Sequence, residues 1–255
     1  MNNLVDGGAL AGKVAIVTGG SRGLGRAITH ALLEAGCQVE ICGRTPPEAP
    51  CRAAGRTAGF HAADVRDPHQ AQAFVEAVIA RHGRLDILVN NAGGSPPSDA
   101  ASASPRFAQA IVGLNLLAPL YLSQAAHDAL AAAKDGGVIV NIASVAGVRP
   151  SPGTSVYSAA KAGLIHLGRS LAQEWGPRIR VNSVVVGLVA TEAAAETYGS
   201  PEAQRRIADT LPARRLGTGP DVAGAVLFLC SPAASYVSGT ELTVAGGGER
   251  VSFLT

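Results

Sequence analysis

The chain has 255 residues, of which 47% are hydrophobic and 16% are charged, and its formal net charge is +2. This apolar composition favours one α/β domain whose parallel sheet is covered by helices on both faces. The charges are interspersed, which excludes the basic stripe typical of nucleic-acid-binding proteins. The opening residues lack a signal-peptide pattern, and no apolar run is long enough to span a membrane. We therefore expect a cytoplasmic protein without a nucleic-acid or membrane partner.

Strand-like and helix-like segments alternate along the chain, which is the βαβ rhythm of a parallel sheet. The sequence predicts seven strands, at Val14–Thr18, Val39–Cys42, Phe60–Ala62, Leu85–Asn90, Val138–Ala143, Arg180–Val186 and Glu241–Val244. It predicts helices at Gly25–Ala35, Pro68–His82, Pro105–Ala133, Ser155–Trp175 and Pro220–Cys230. The expected fold is a Rossmann-like, doubly wound parallel seven-stranded sheet flanked by helices on both faces, in a single domain over residues 1–255.

Two segments interrupt this rhythm. Gly93–Ser104 is rich in Gly, Pro and Ser and follows a strand at the edge where open α/β sheets bind ligands. Gly187–Gly219 is a longer insertion with its own predicted helix near Pro201–Asp209. A long insertion in a compact domain is either a lid or binding loop, or a mobile surface excursion.

A glycine-rich turn joins the first strand to the first helix. Without side chains, its backbone approaches a pyrophosphate closely, and the helix supplies free N–H groups and a positive dipole. Three residues separate Gly19 from Gly23, a spacing that differs from the common dinucleotide fingerprint. The alternative is a glycine-rich turn that binds nothing. The dinucleotide contacts predicted in this turn are Gly19, Ser21, Arg22, Gly23, Leu24 and Gly25.

The end of the second strand indicates which dinucleotide is bound. Gly43 stands where an NAD enzyme usually has an acid, and Arg44 follows it. A guanidinium binds a 2′-phosphate bidentately, so NADP(H) is favoured, with help from Arg22, and NAD(H) remains possible. The alternative is that Arg44 is a solvated loop residue. Asp64 either accepts a hydrogen bond from the adenine amino group or caps the helix that begins at Pro68.

The most informative pattern is Ser144 followed thirteen residues later by Tyr157 and then by Lys161. Tyr157 and Lys161 are four residues apart and share one helix face. We expect the Lys161 ammonium to lower the Tyr157 pKa from about 10 toward neutrality, so that the phenol exchanges protons at cellular pH. Taken singly, Ser144 is equally well a strand-end cap, Tyr157 a core-edge aromatic and Lys161 a solvated helix residue.

In this order the motifs resemble those of the short-chain dehydrogenase/reductase family over nearly the whole chain. The matching segments are Thr18–Gly25 for TGxxxGxG, Asp64–Val65, Asn90–Gly93 for NNAG, Asn115, and the set Ser144, Tyr157 and Lys161. The resemblance implies that Asn115 is a fourth catalytic residue, whose backbone holds a water linking Lys161 to solvent. Further implied cofactor contacts are Asp64, Val65, Asn91, Ala92, Gly93, Tyr157, Lys161, Gly187, Val189 and Thr191. Thr191 either binds the nicotinamide carboxamide or caps the helix that follows it.

The implied activity is NAD(P)(H)-dependent interconversion of a carbonyl and a secondary alcohol. Tyr157 is expected to move the proton, Ser144 to hydrogen-bond the reacting oxygen, and Lys161 to hold the nicotinamide ribose. Apolar residues around the expected pocket favour a hydrophobic small-molecule substrate, such as a 3-oxoacyl thioester or a steroid-like ketone. The alternatives are a catalytically inactive nucleotide-binding protein acting through partners, or an epimerase or dehydratase. Family relatives pair through two helices, here Pro105–Ala133 and Ser155–Trp175, so a homotetramer is expected.

Some features depart from the family or carry no site. Val186-Gly187 replaces the usual Pro-Gly, so we expect a less rigid turn at the nicotinamide. Ala245 replaces the acid of the usual Asp-Gly-Gly near the carboxyl end. The histidines, including His61 and His82, lack a carboxylate or cysteine partner at ligand spacing, so no metal site is predicted. The four cysteines are expected to be reduced and to serve as small hydrophobic residues.

Overall fold

The computed structural model describes residues 10–248, and its centre is a parallel seven-stranded sheet. The strands are β1 (Val14–Thr18), β2 (Gln38–Gly43), β3 (Arg52–Ala53), β4 (Arg56–Thr57), β5 (Gly59–Ala62), β6 (Ile87–Asn90), β7 (Gly137–Ser144), β8 (Ile179–Val186) and β9 (Glu241–Val244). The order in the large sheet is β5-β2-β1-β6-β7-β8-β9, and β3 and β4 form a separate hairpin. The sheet extends from β1 in both directions, with β2 and β5 on one side and β6 to β9 on the other. This is the doubly wound arrangement that was predicted.

Eight α-helices accompany the strands within residues 10–248. They are α1 (Gly23–Glu34), α2 (Pro68–His82), α3 (Pro105–Val112), α4 (Ala118–Ala132), α5 (Ser155–Glu174), α6 (Ala194–Tyr198), α7 (Pro201–Thr210) and α8 (Gly219–Cys230). The predicted strands are all present, with ends shifted by at most two residues, as at Ile87. The first helix begins at Gly23 rather than Gly25, so the glycine turn forms part of the helix itself.

The core has two halves, one on each face of the sheet. Successive residues of β1 point to opposite faces, so Val17 packs with Ile28 of α1 and Val226 of α8, while Ile16 packs on the other side. That second face is covered by α2, α4 and α5. Strands buried on both faces need continuous apolar runs, which is the pattern read in the sequence.

A hairpin, rather than a helix, connects β2 to β5. Its two-residue turn has positive φ at both central positions, 47° at Ala54 and 71° at Gly55, as in a type I′ turn. The sequence analysis did not predict this hairpin. Between β2 and this hairpin, the segment 44–50 is a loop that follows the carboxyl end of β2.

The predicted long helix Pro105–Ala133 contains a break. A five-residue π-helical turn, Gly113–Leu117, separates α3 from α4. Such single π turns occur mostly inside α-helices at functional sites. The turn carries Asn115, which is fully buried.

The turn after β8 is held by backbone hydrogen bonds. The Gly187 N–H donates to the Val244 carbonyl at 2.9 Å, and the Gly217 N–H donates to the Leu188 carbonyl at 2.9 Å. These bonds link Gly187 to β9 and the two ends of the segment 187–219 to each other, and the expectation of a less rigid turn without Pro stays a prediction. Between those ends lie α7, which was predicted near Pro201–Asp209, and α6, the short helix that follows Thr191. Over the described part of the chain, no helix combines the length and apolar character that crossing a membrane requires.

Candidate active site

A groove of about 1160 Å³ runs along the carboxyl ends of the parallel strands. The turns after β1, β2, β6, β7 and β8 line it, which is where open α/β sheets bind ligands. Every predicted catalytic and cofactor residue lines this groove except Asn115, which lies directly behind it. Residues spread from position 19 to position 191 are thus brought together by the sheet.

The glycine turn has the geometry of an anion cradle. Gly23 begins α1 with φ of 54°, a conformation that favours glycine. A Cβ at Gly25 would lie 2.2 Å from the Gly19 carbonyl oxygen, so only glycine allows this packing. The N-cap residue Arg22 makes no side-chain capping hydrogen bond, so its own side chain does not satisfy the first N–H groups of α1. The turn therefore fits a dinucleotide pyrophosphate.

Arginines line the groove at the turns that follow β1, β2 and β5. Arg22, Arg44 and Arg66 line it, and all three are exposed. Arg66 binds the Asp64 carboxylate with two nitrogens, Nε at 2.9 Å and Nη2 at 2.5 Å, and this hydrogen bonding lowers the pKa of Asp64. The capping alternative for Asp64 is wrong, because Asp67 caps α2 by accepting from the His69 N–H at 2.9 Å.

Ser144, Tyr157 and Lys161 meet at the centre of the groove. Ser144 ends β7, and its Oγ accepts a hydrogen bond from the Ala146 N–H at 3.2 Å, which fixes its position. Tyr157 and Lys161 project from α5 one turn apart, with Lys161 Nζ 5.7 Å from the centre of the Tyr157 ring. The Ser144 hydroxyl is close enough to the Tyr157 phenol to influence its pKa.

The electrostatics of this trio differ from the prediction. Burial raises the pKa of Tyr157 above 10, and the hydrogen bond with Ser144 offsets this only in part. Lys161 is 3% exposed, donates to the Ile142 carbonyl at 2.7 Å, and has its pKa lowered by burial to about 8. The expected lowering of the Tyr157 pKa is therefore wrong. Removal of the phenol from water is the largest influence on this pKa, and it raises it.

The Lys161 pKa predicts a pH dependence of stability. Between pH of about 8 and 10.5, the unfolded chain retains a lysine proton that the folded protein has released. The free energy of unfolding should therefore rise with pH across this window, by on the order of 3 kcal/mol for this group. Urea unfolding of the wild type and of Lys161→Met measures it.

The quantity to follow is the difference in free energy of unfolding between the wild type and Lys161→Met. The buried thiols add a pH dependence of their own to both proteins, and this contribution cancels in the difference. We expect the stability of the wild type relative to Lys161→Met to increase from pH 8 to pH 10.5. A difference that stays constant with pH would show that Lys161 titrates normally in the folded protein.

Comparison with known proteins agrees with this arrangement. A family model described as enoyl-(acyl carrier protein) reductase matches residues 19–249, most of the chain. The chain belongs to the short-chain dehydrogenase/reductase family. It is therefore an NAD(P)-dependent oxidoreductase that acts on CH–OH or C=O groups of a small molecule.

Three proteins illustrate the range of its relatives. An uncharacterized oxidoreductase of Mycobacterium tuberculosis is 37% identical, covering 92% of this chain and 91% of the relative. The 7α-hydroxysteroid dehydrogenase of Escherichia coli is 36% identical, covering 94% and 95%. The structure of Thermoplasma acidophilum aldohexose dehydrogenase has a TM-score of 0.88 at 30% identity, covering 95% and 96%. Each of these similarities covers at least 92% of this chain.

Asn115 and the NNAG corner stabilise the middle of this dehydrogenase groove. The Asn115 side chain accepts from the Gly94 N–H at 2.9 Å and donates to the Gly94 carbonyl at 2.9 Å, which ties the loop after β6 to the π turn. The Asn90 amide donates to Asn141 Oδ1 at 2.9 Å, and Asn91 donates to the Thr18 carbonyl at 2.8 Å. The asparagines of this corner therefore link β6 to both of its neighbours, β7 and β1.

The segment after β8 contributes Thr191, which was predicted, and two contacts, of Glu192 and Tyr198, that the sequence did not predict. Thr191 lines the groove, and its Oγ1 accepts from the Ala193 N–H at 3.3 Å, just ahead of α6. Glu192 Oε2 accepts from the Gly23 N–H at 3.0 Å. The Tyr198 hydroxyl bonds to both backbone polar groups of Val189. No motif marks Glu192 or Tyr198, because their contacts depend on how the insertion folds back over the groove.

The histidine prediction needs one correction. Glu40 of β2 is 2% exposed, and its carboxylate lies 2.9 Å from His61 Nε2 and 2.7 Å from His82 Nε2. These histidines therefore do have a carboxylate partner, which the sequence separation concealed. Among residues 10–248, no group of three or more His, Cys, Asp or Glu side chains has an arrangement suited to a metal ion. Cys37, Cys42, Cys51 and Cys230 are all free and buried.

Proposed function

We propose that this protein is an NADP(H)-preferring enzyme that interconverts a ketone and a secondary alcohol on a hydrophobic substrate. The observation that carries the proposal is the meeting of Ser144, Tyr157 and Lys161 in one groove with the glycine turn and Arg44. Tyr157 is the general acid and base. The remaining cofactor residues predicted from the sequence keep their proposed roles, because they line the same groove.

The side chains divide the chemistry among them. A raised pKa keeps the Tyr157 phenol protonated at neutral pH, so it donates a proton to a carbonyl oxygen as negative charge builds there. Ser144 donates a hydrogen bond to the same oxygen and orients it. Lys161, with a pKa of about 8, is largely a cation at neutral pH and holds the ribose hydroxyls beside Tyr157. When bound, reduced nicotinamide supplies the hydride.

Charge at the adenosine end favours NADP(H). Arg22 and Arg44 line the groove there, and Gly43 places no carboxylate at the end of β2 to repel a phosphate. Two acids line the groove: Asp64 is paired with Arg66, and Glu48 lies four residues after Arg44. A 2′-phosphate would thus meet the Arg22 and Arg44 guanidinium groups, while the Asp64 carboxylate is already paired.

Apolar side chains support a hydrophobic substrate. Ile111, Leu114, Val189 and Pro96 line the groove. Val148, which follows the turn carrying Ser144, is 53% exposed, and a large exposed apolar residue beside a site is typical of a contact surface. One relative is named for a steroid substrate, while a structural neighbour is named for an aldohexose. The apolar lining favours the former class.

A spectrophotometric screen tests the proposal. The consumption of NADPH and NADH is followed with 3-oxoacyl thioesters, steroid ketones and small diketones, and the reverse reaction with aldohexoses. We expect turnover with NADPH and at least one hydrophobic ketone. Turnover of aldohexoses alone would contradict the substrate class. NADPH binding without any turnover would favour a catalytically inactive nucleotide-binding protein.

Two further expectations stand as proposals. A homotetramer built on α4 and α5 is supported by partly exposed apolar residues along these helices, including Leu120, Tyr121 and Leu167. A cytoplasmic location accords with four reduced, buried cysteines. The epimerase or dehydratase alternative is disfavoured, because the residues after Lys161 are largely used by β8, β9 and α8 rather than by a substrate domain.

A further inference from the structure

Two side chains of the segment after β8 bond to backbone groups of the groove. Glu192 Oε2 accepts a hydrogen bond from the Gly23 N–H at 3.0 Å. The Tyr198 hydroxyl accepts from the Val189 N–H at 3.2 Å and donates to the Val189 carbonyl at 3.3 Å. The two contacts lie at different places in the groove and involve different chemistry, so each is an independent observation.

The Glu192 contact places an anion at the start of α1. Gly23 is the first residue of that helix, where free N–H groups and the helix dipole attract negative charge. Under the proposed function, the coenzyme pyrophosphate binds to this same turn. The carboxylate therefore has the charge and the hydrogen-bonding role of a phosphate oxygen.

The Tyr198 contact imitates a different group. Val189 offers one donor and one acceptor side by side, and a primary carboxamide satisfies both with its carbonyl and its amino group. The phenol satisfies both with a single hydroxyl. Val189 lines the groove together with Thr191 and Tyr157, at the end where the reacting ring of a nicotinamide coenzyme belongs.

We propose that Glu192 and Tyr198 are coenzyme-mimicking residues, which hold the pyrophosphate and carboxamide positions until the coenzyme displaces them. This inference rests on the proposed function. The segment that carries them is suited to movement: α6 has five residues, none of them buried. Coenzyme affinity is thus reduced by the work of displacing these two contacts.

Equilibrium binding tests the proposal without any substrate. The variants are Glu192→Gln and Tyr198→Phe, with Glu196→Gln and Tyr236→Phe as matched controls at exposed positions. The ligands are NADPH and 2′-phospho-ADP-ribose, which keeps the pyrophosphate but lacks the nicotinamide. Titration calorimetry gives the dissociation constants for both.

We expect Glu192→Gln to bind both ligands about threefold to tenfold more tightly, because a neutral amide competes poorly for the helix amino end. Tyr198→Phe should tighten NADPH to a similar degree and leave 2′-phospho-ADP-ribose unchanged. The two control variants should bind like the wild type.

If Glu192→Gln binds both ligands only as tightly as the wild type, or more weakly, the proposal is overturned. This result is decisive by itself, because Glu192 is exposed and is dispensable for the core. Tighter binding of the nicotinamide-free ligand by Tyr198→Phe would overturn the carboxamide assignment. A wild-type protein that binds neither NADPH nor NADH would instead refute the proposed function.

Discussion

Replacing Tyr157 with Phe is expected to lower kcat for ketone reduction by about 10²- to 10⁴-fold, the usual contribution of a positioned proton donor. The variant loses a single hydroxyl and keeps the ring that packs in the groove. Its affinity for NADPH should stay within about threefold of the wild type, because the phosphate contacts are made elsewhere. Steady-state kinetics with the best substrate from the screen and NADPH titration measure the two effects separately.

Tyr121→Phe is the matched control for this experiment. Tyr121 lies half-buried on α4 and is not among the groove residues, so removing its hydroxyl should leave kcat unchanged. If Tyr157→Phe retained most of its activity, another proton donor would have to serve. An equal loss in the Tyr121 variant would point to a general structural effect instead.

Changing Arg44 to Asp is expected to invert the coenzyme preference. The change removes a bidentate, charge-assisted contact to a 2′-phosphate and introduces a carboxylate that repels it while accepting hydrogen bonds from free ribose hydroxyls. The ratio of NADPH to NADH affinity should fall by about 10²-fold or more. Fluorescence titration with each coenzyme provides the ratio.

The control for the charge reversal is Arg52→Asp. Arg52 is exposed on the β3–β4 hairpin and does not line the groove, so its replacement changes net charge equally without changing the preference. If the ratio is the same in the Arg44 variant and the wild type, Arg44 is a solvated loop residue. In that case the preference must come from Arg22 or be absent.

The raised pKa of Tyr157 bears on the direction of catalysis. A phenol that stays protonated at neutral pH is ready to donate a proton, as carbonyl reduction requires. Alcohol oxidation requires the opposite state, a phenolate, and burial of Tyr157 disfavours this charged form. We therefore expect oxidation to require a higher pH than reduction.

Local signals in the sequence were sufficient to predict the strands of the sheet. The family motifs supplied the predicted site residues. Strand lengths, apolar runs and the glycine turn predicted all seven strands of the sheet to within two residues. The groove then brought together the predicted residues, from Gly19 to Thr191. The sequence predicted one continuous helix over Pro105–Ala133 and missed the π turn around Asn115. A change of helix type over a single turn does not alter the spacing of apolar residues enough to be recognised.

The sequence by itself determined the doubly wound sheet, because periodicity and strand-to-helix turns are properties of neighbouring residues, and the family resemblance of its motifs supplied the predicted site residues. Only the tertiary structure decided the protonation of Tyr157 and Lys161, since burial depends on everything packed around them. It alone also brought Glu192 to Gly23 and Glu40 to His61 and His82. Contacts between residues so far apart in the chain arise from the crossovers of the sheet, which no local pattern encodes.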